Sequence, residues 1–401
     1  MTTVEFLYRC PTENVASALT LHPNKIIFIG NKSCKQEDIY KRFIKSKSPS
    51  VITEFIYTDT KNLTNLITIL SDIVKTENDV IFDLTGGEDL LLTAMGVVLE
   101  RQAQNITVQR FDIGENKLVS WKSGEKTEKS TNASLSVDEQ ITLHGGMIIE
   151  NQSDEIILND KNSQIIDALW SVFKTDKHYN TNVKLLQRAM KFNHENRELC
   201  ANISITEFKA AEADERTANW LIEFLGFLKN GGVINFLDTK NNRIKFSFSS
   251  KAAKELLEKS GNILEMMVYK TAADLKTQDG APYYTDLMRS VIIDWDGKVG
   301  SNKTGDTKNE IDCILMKNLV PVFISCKGGD IEEVELYKLD AVARRFGGKY
   351  AKKALISTNH GKDEVASAYF RKRAEDMNIA LFENVHLLDD DKFLNMIKEL
   401  V

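Results

Sequence analysis

The sequence predicts an α/β protein of more than one domain, on three observations. First, 401 residues exceed what one ordinary core organises at about 150 residues per domain. Second, short β-branched runs alternate with helically spaced apolar segments over the first 150 residues. That alternation predicts a parallel sheet with helices on both faces. Third, a strand-rich alternation of a different order starts near Gly261, after a mainly helical stretch. Expected boundaries are therefore 1–150, 151–260 and 261–401.

In the first segment, Ile26–Ile29, Val51–Tyr57, Val80–Leu84 and Ile106–Phe111 are expected strands. Asp38–Lys45, Leu63–Lys75 and Leu90–Arg101 are the helices between them. A sheet of this kind binds ligands outside the carboxyl ends of its strands. Residues 114–131 are polar and turn-rich, and Ser136 with Glu139 forms a capping box that opens a short helix. Amphipathic helices follow at Ile165–Phe173, Asn182–Lys191 and Ala210–Lys229, the last stopping at Gly231-Gly232. Val233–Phe236 and Arg243–Phe248 flank a turn and form a hairpin, so the middle segment has a winged-helix pattern. It shows no basic recognition helix.

Composition limits the function classes. With 42% apolar and 27% charged residues, the chain is that of a folded protein. A net charge of −6 does not mark a nucleic-acid binder, although phosphate affinity comes from local patches. No basic stretch with a long apolar core opens the chain, and no run approaches the roughly 20 apolar residues of a membrane span. Neither a signal peptide nor a membrane partner is expected. Five scattered cysteines without a CxxC pair suit a reducing, cytoplasmic setting. Six histidines without HExxH make a His-ligated zinc site unexpected.

The chemistry concentrates in Asn309–Met316 and Leu319–Lys327, two strands joined by a tight turn. Side chains alternate along a strand, so Glu310 and Asp312 share one face and Ser325 and Lys327 share another. Carboxylates facing a lysine across a hairpin suit phosphodiester cleavage. Carboxylate oxygens hold a hard divalent cation such as Mg²⁺ or Mn²⁺, and the lysine stabilises developing negative charge. The surrounding Ile, Leu, Val and Phe make uncommitted charges expensive there.

This stretch resembles the PD-(D/E)XK superfamily of restriction-like nucleases, from Gly261 to the C-terminus. The resemblance implies an acid from the first helix at Glu265, a second at Asp312 and the (D/E)-X-K element at Ser325-Cys326-Lys327. Ser325 stands where an acid is usual, and Glu310 is its candidate replacement. The expected metal ligands are thus Glu265, Glu310 and Asp312, and the expected catalytic set adds Lys327. Ser325 and Glu335 are further candidates. The order of GNILEMMVY, NEID, FISCKGG and the Leu339–Gly348 helix is similar to CRISPR ancillary nucleases that join a CARF sensor to such a domain.

The first segment supports that resemblance. DLTGGED (Asp83–Asp89) resembles the CARF turn that meets a cyclic oligoadenylate, where glycines let backbone N–H groups approach phosphate. Thr85, Gly86 and Gly87, with Asn31, Lys32 and Ser33 after the second strand, are the implied ligand residues. LSVDEQITLHG (Leu135–Gly145) matches a segment closing the sensor. Glu88 and Asp89 depart from the family, whose members often carry a basic residue there. The resemblance implies a Rossmann-like sensor, a winged-helix-like connector and a restriction-endonuclease-like domain. It implies a homodimer, a DNA or RNA substrate, and a cyclic oligoadenylate activator, with cyclic tetra-adenylate the expected ring. Two alternatives stay open: a non-enzymatic regulator with a degraded nuclease domain, and a restriction-type endonuclease with another N-terminal ligand. Substrate backbone is expected on Arg344, Arg345, Lys349, Lys352, Lys353, Arg371, Lys372 and Arg373.

Overall fold

Parallel pairing of the short β-branched runs builds the first sheet. The structure is a computed structural model. It describes all residues except 32, 34–35, 103–105, 154–155, 213–215, 260, 299–307, 330 and 359–363, and the side chains of 102 and 364–366. The first-sheet strands are β1 (Thr2–Phe6), β2 (Lys25–Gly30), β3 (Ile52–Tyr57), β4 (Val80–Asp83), β5 (Ile106–Asp112), β6 (Lys117–Lys122) and β7 (Glu125–Ser130). Their order is β3-β2-β1-β4-β5-β6-β7, with β6 and β7 antiparallel. The strand β1 and the hairpin β6–β7 are absent from the sequence expectation. Around the sheet lie α1 (Pro11–Val15), α2 (Ala18–Leu21), α3 (Glu37–Lys47), α4 (Leu63–Thr76), α5 (Asp89–Gln102) and α6 (Val137–Leu143). The capping box that starts α6 is formed: Glu139 N–H donates to Ser136 Oγ at 3.1 Å, and Ser136 N–H to Glu139 Oε2 at 3.0 Å.

Next comes β8 (Met147–Glu150), then the middle elements α7 (Asp160–Thr175), α8 (Tyr179–Met190), β9 (Cys200–Ser204), α9 (Ile205–Ala211), α10 (Thr217–Asn230), β10 (Ile234–Asp238), β11 (Arg243–Phe248) and α11 (Lys251–Leu256). The expected hairpin gains β9 as a third strand, giving the order β10-β11-β9. The single expected helix over 210–229 is two helices, α9 and α10.

The remaining elements are α12 (Asn262–Asp274), β12 (Asp286–Asp294), β13 (Lys308–Lys317), β14 (Val320–Lys327), α13 (Glu333–Gly347), β15 (Lys352–Ser357), α14 (Glu364–Asp376), β16 (Ala380–Phe382) and α15 (Asp390–Lys398). Their sheet runs β16-β15-β14-β13-β12-β8. The edge strand β8, which the sequence reading left at the end of the first segment, pairs with β12 through Ile293↔Ile148.

Burial explains how these parts are held together. One face of the first sheet packs with α4 and α5 around Val4, Phe82, Leu66 and Leu91. Its other face shares a single apolar core with the last sheet, in which Leu7, Phe28 and Phe111 meet Val291, Phe323 and Phe346. The opposite face of that last sheet joins α12 and the middle elements through Leu264, Cys313, Ile324 and Phe224. The last sheet therefore lies between the first sheet and the middle elements. No described helix is long and apolar enough to cross a membrane.

Candidate active site and ligand crevice

The hairpin β13–β14 turns at Asn318, whose positive φ of 59° suits an asparagine in a tight turn. It sets Asp312 against Ser325, whose hydroxyl donates to Asp312 Oδ2 at 3.2 Å. The Cys326 N–H donates to the same oxygen at 2.6 Å. Lys327 Nζ stands 3.7 Å from Asp312 Oδ2 and 3.0 Å from Glu335 Oε2 on α13. Lys338 Nζ, 2.7 Å from Glu335 Oε1, completes the row. These groups line a pocket of about 50 Å³ that Glu310 also borders. That is room for a water or two or a hydrated ion's first contacts, not for a base.

The strict alternation expected of β13 fails at Asp312. Ile311 packs with Val291 and Ile293 in the core shared with the first sheet, whereas Cys313 packs with Leu264 on the opposite side. The cause lies in β12. Ser290 adopts φ 46°, and the ladder passes from Arg289↔Cys313 to Val291↔Ile311 without a Ser290 pair. The irregularity frees Ser290 Oγ to donate to Glu265 Oε2 at 3.3 Å.

Glu265, in the first turn of α12, is driven up to about 7 by burial and by the nearby charges of Asp312 and Glu310, against the opposing pull of Arg289. Burial also raises Asp312, opposed by Lys327 and by the Cys326 and Ser325 hydrogen bonds. The carboxylates of Asp312 and Glu310 beside buried Glu265 make a donor set suited to a hard divalent cation. They are gathered but not closed into a cage: among the described residues no three His, Cys, Asp or Glu side chains are placed to hold a metal together. Mg²⁺ keeps several waters and needs only one or two carboxylates, so the donor set fits it without such a cage.

Arg289, Ser290 and Lys338 were not anticipated from the sequence. Arg289 is 2% exposed, and its Nε has no hydrogen-bond partner. Arg289 stands just before the apolar run Val291-Ile292-Ile293, and no local pattern there marks a buried arginine. The basic residues expected to hold substrate are mostly engaged. Arg344 and Lys353 pair with Asp340, Arg371 with Glu383, Lys372 with Glu375, Arg373 with Glu333, and Lys349 with Glu13.

In the first sheet the strand order reverses between β1 and β4, where α/β sheets open a crevice. Thr85, Gly86 and Gly87 follow β4 there. Asp83, fully buried, accepts from Thr85 N–H and from Gln109 Nε2, each at 2.7 Å, and burial pushes it up to about 6. Thr85 Oγ1 accepts the Phe111 N–H at 2.7 Å, so this hydroxyl oxygen shapes the turn. Gly87 has φ 118°, and a Cβ on it would lie 2.9 Å from Phe6 Cβ. A Cβ on Gly86 would meet Asn14 Oδ1 at 3.2 Å. The glycines are thus required by the turn's own packing against β1. Asn31 Oδ1 accepts Ser33 N–H at 3.0 Å at the end of β2, and Lys32 lies outside the described residues. Sequence reasoning missed Tyr8 and Arg9, both exposed, directly after β1 at this reversal. The Tyr-Arg pair ending an apolar run was the available signal.

A glycine-turn crevice at a strand-order reversal, tied through a shared core to a carboxylate–lysine hairpin, defines an α/β protein with two candidate sites. No family model matches the chain, and no curated protein matches it. Solved structures do. The crystal structure of protein VC1899 from Vibrio cholerae aligns over 100% of this chain and 95% of its own, at TM-score 0.72 and 18% identity. Can2 from Sulfobacillus thermosulfidooxidans, solved in complex with cyclic tetra-adenylate, aligns over 100% and 99% at TM-score 0.66 and 17% identity. The fold is therefore shared end to end with Can2, in agreement with the resemblance to CRISPR ancillary nucleases drawn from the sequence.

Proposed function

We propose that the chain is a metal-dependent nuclease of type III CRISPR defence, switched on by a cyclic oligoadenylate, with cyclic tetra-adenylate the first ring to test. The observation that carries this reading is the Asp312–Lys327–Glu335 cluster beside Glu265 and Glu310. Can2, whose fold this chain shares, was solved with cyclic tetra-adenylate. A divalent cation, when bound by Glu265, Asp312 and Glu310, supplies Lewis acidity and an acidified water. The Cys326 N–H and Ser325 hydroxyl fix Asp312. Glu335 holds the Lys327 ammonium beside Asp312, where it offsets charge that builds on a phosphate in transit. Ser325 thus orients a ligand rather than serving as one. Glu310→Ala is expected to lower cleavage far more than Ser325→Ala, measured as initial rate against Mn²⁺ concentration. Equal, mild effects would relocate the cation.

Glu265 gives a pH test with a definite sign. Its folded value, about 7, lies above the ordinary 4.5. The stability this group contributes is full below the ordinary value and is lost as pH rises through about 7. In EDTA, Tm is expected to fall between about pH 5 and pH 8. Glu265→Gln should flatten that fall, and Mg²⁺ should raise Tm more at the higher pH. A cation effect independent of pH would contradict Glu265 as a ligand.

The two sites are joined by α1. Asn14 Nδ2 donates to Tyr8 O at 3.0 Å and to the Tyr40 hydroxyl at 2.8 Å, and its Oδ1 faces Gly86. The next residue back, Glu13, is 1% exposed and accepts from Lys349 Nζ at 2.5 Å and the Tyr350 hydroxyl at 2.8 Å, directly after α13. A ring bound across a homodimer axis and touching Tyr8 and Gly86 has a short path to the helix that carries Glu335. Glu13→Gln is expected to leave activator affinity within about threefold while activated cleavage falls towards basal, because the ion pair and not the crevice is lost. Unchanged activation, by titration calorimetry and cleavage side by side, would remove α1 from the path.

The experiment for the whole reading is cleavage of labelled DNA and RNA, with Mg²⁺ or Mn²⁺, against a panel of cyclic oligoadenylates. Ligand binding without cleavage would favour the regulator reading, for which Ser325 in place of an acid is the supporting feature. Cleavage indifferent to every ring would favour the restriction-type reading.

A further inference from the structure

The hairpin β6–β7 ends the first sheet, and no described strand pairs with the outer edge of β7. All its residues, Glu125–Ser130, are exposed. Ser123 and Gly124, at φ 50° and 85°, form a two-residue turn, so Lys122 and Glu125 beside it exchange backbone hydrogen bonds. That phase repeats at every second residue. The Thr131 N–H donates to Asn116 O at 2.9 Å, as the phase requires. Glu125, Thr127 and Lys129 therefore direct their backbone groups to β6. Lys126, Glu128 and Ser130 turn theirs outward, where a further strand can take them. Lys126 Nζ and Glu128 Oε1, on one face of the strand, lie 2.5 Å apart.

We infer that β7 pairs antiparallel with β7 of a second copy of this chain, about a two-fold axis at Thr127. The inference does not rest on the nuclease reading. Charges on an edge strand ordinarily keep copies apart. Here the order Glu-Lys-Thr-Glu-Lys over 125–129 is self-complementary instead. With the axis at Thr127, Lys126 of each copy faces Glu128 of the other, Glu125 faces Lys129, and Thr127 faces its own equivalent. Opposite-charge and Thr–Thr pairs directly across a ladder both stabilise a sheet. An axis at Lys126 or Glu128 would set that residue against its like. The backbone phase agrees with the side chains. Lys126 and Glu128 point their N–H and C=O groups outward, so each Lys126–Glu128 contact exchanges a pair of backbone hydrogen bonds. Thr127, whose backbone faces β6, falls at the close-approach position between them. The result joins two first sheets edge to edge in an isologous contact. So short a strand pairing buries less than a standard interface of about 1,600 Å², so the association is weak and concentration-dependent. In the sheet order β5 and β6 stand between β7 and the β1–β4 crevice, so the contact leaves that crevice open.

The test is sedimentation velocity on the full-length protein without activator, over about 1 to 200 µM at low salt. Lys126→Glu sets two acids against each other across the axis, and Glu128→Lys sets two lysines. Each variant alone is expected to raise the Kd of self-association about tenfold or more. An equimolar mixture of the two variants is expected to return to within about threefold of the wild type, because across the mixed pair every facing charge is again opposite. Tm is expected to stay the same in both variants, since both positions are exposed. A wild type of one mass at every concentration overturns the inference. Self-association that neither reversal changes overturns it as well. So does a mixture that associates no better than its two components, because the loss would then come from somewhere other than facing β7 strands.

Discussion

Replacing Lys327 with alanine is expected to cut activated cleavage by about 10²–10³-fold, the usual cost of removing one preorganised charge from a phosphate in transit. The side chain is half-buried between Asp312 and Glu335, so its charge is fixed in place before substrate arrives. Its loss leaves Asp312 without the lysine charge beside it, while Glu335 keeps only Lys338. That adds repulsion where an anionic phosphate must enter. Lys327→Arg separates charge from geometry: the charge survives, but the planar guanidinium does not fit the 3.0 Å contact to Glu335 in the same way. Partial recovery in the arginine variant, with Tm and activator affinity unchanged in both, is the expected pattern. Near-normal turnover in the alanine variant would remove Lys327 from the chemistry.

Arg9→Glu is expected to weaken cyclic tetra-adenylate binding by about 10- to 100-fold, because charge-assisted contacts to phosphate are worth roughly 1.5–3 kcal/mol each and the new carboxylate repels. Arg9 is exposed at the end of β1, beside the Gly86 turn that Tyr8 touches. In the proposed crevice it is the candidate for the positive charge that Glu88 and Asp89 do not offer. Exposed placement makes it a cleaner probe than valine at Gly86 or Gly87, where the new side chain strikes Phe6 or Asn14 and disturbs the turn itself. Basal cleavage should persist in Arg9→Glu, while activation shifts to higher ligand concentration. Calorimetry showing wild-type affinity would move the ligand away from the β1–β4 crevice.

Much of this arrangement was legible because local pattern carried it. The strands VIFD and ITVQRFD, the helix over Asn262–Asp274 and the hairpin holding Asp312 and Lys327 each announce themselves within about a dozen residues. The β6–β7 hairpin was missed because Glu125–Ser130 is exposed at every position and shows no apolar alternation. Its Ser123-Gly124 turn, both residues at positive φ, was the readable sign. The pairing of β8 with β12 joins residues about 145 positions apart, which no local pattern encodes. Nor does local alternation reveal the break at Asp312. That depends on the conformation of Ser290 in a neighbouring strand, so Glu310 and Asp312 converge on Glu265 for a different reason than shared parity. The same limit hid the α1 bridge, where Glu13 meets Lys349 more than 330 residues later.

The most direct test of coupled sensing and cleavage is one titration. Cleavage rate is measured against cyclic tetra-adenylate in Mg²⁺ for the wild type, Arg9→Glu, Glu13→Gln and Lys327→Ala. The account predicts a saturable rise for the wild type, a rightward shift for Arg9→Glu, a lowered plateau at unchanged midpoint for Glu13→Gln, and a plateau about 10²–10³-fold lower for Lys327→Ala. A wild-type rate that does not depend on the ring, or a Lys327→Ala protein that reaches the wild-type plateau, would contradict it.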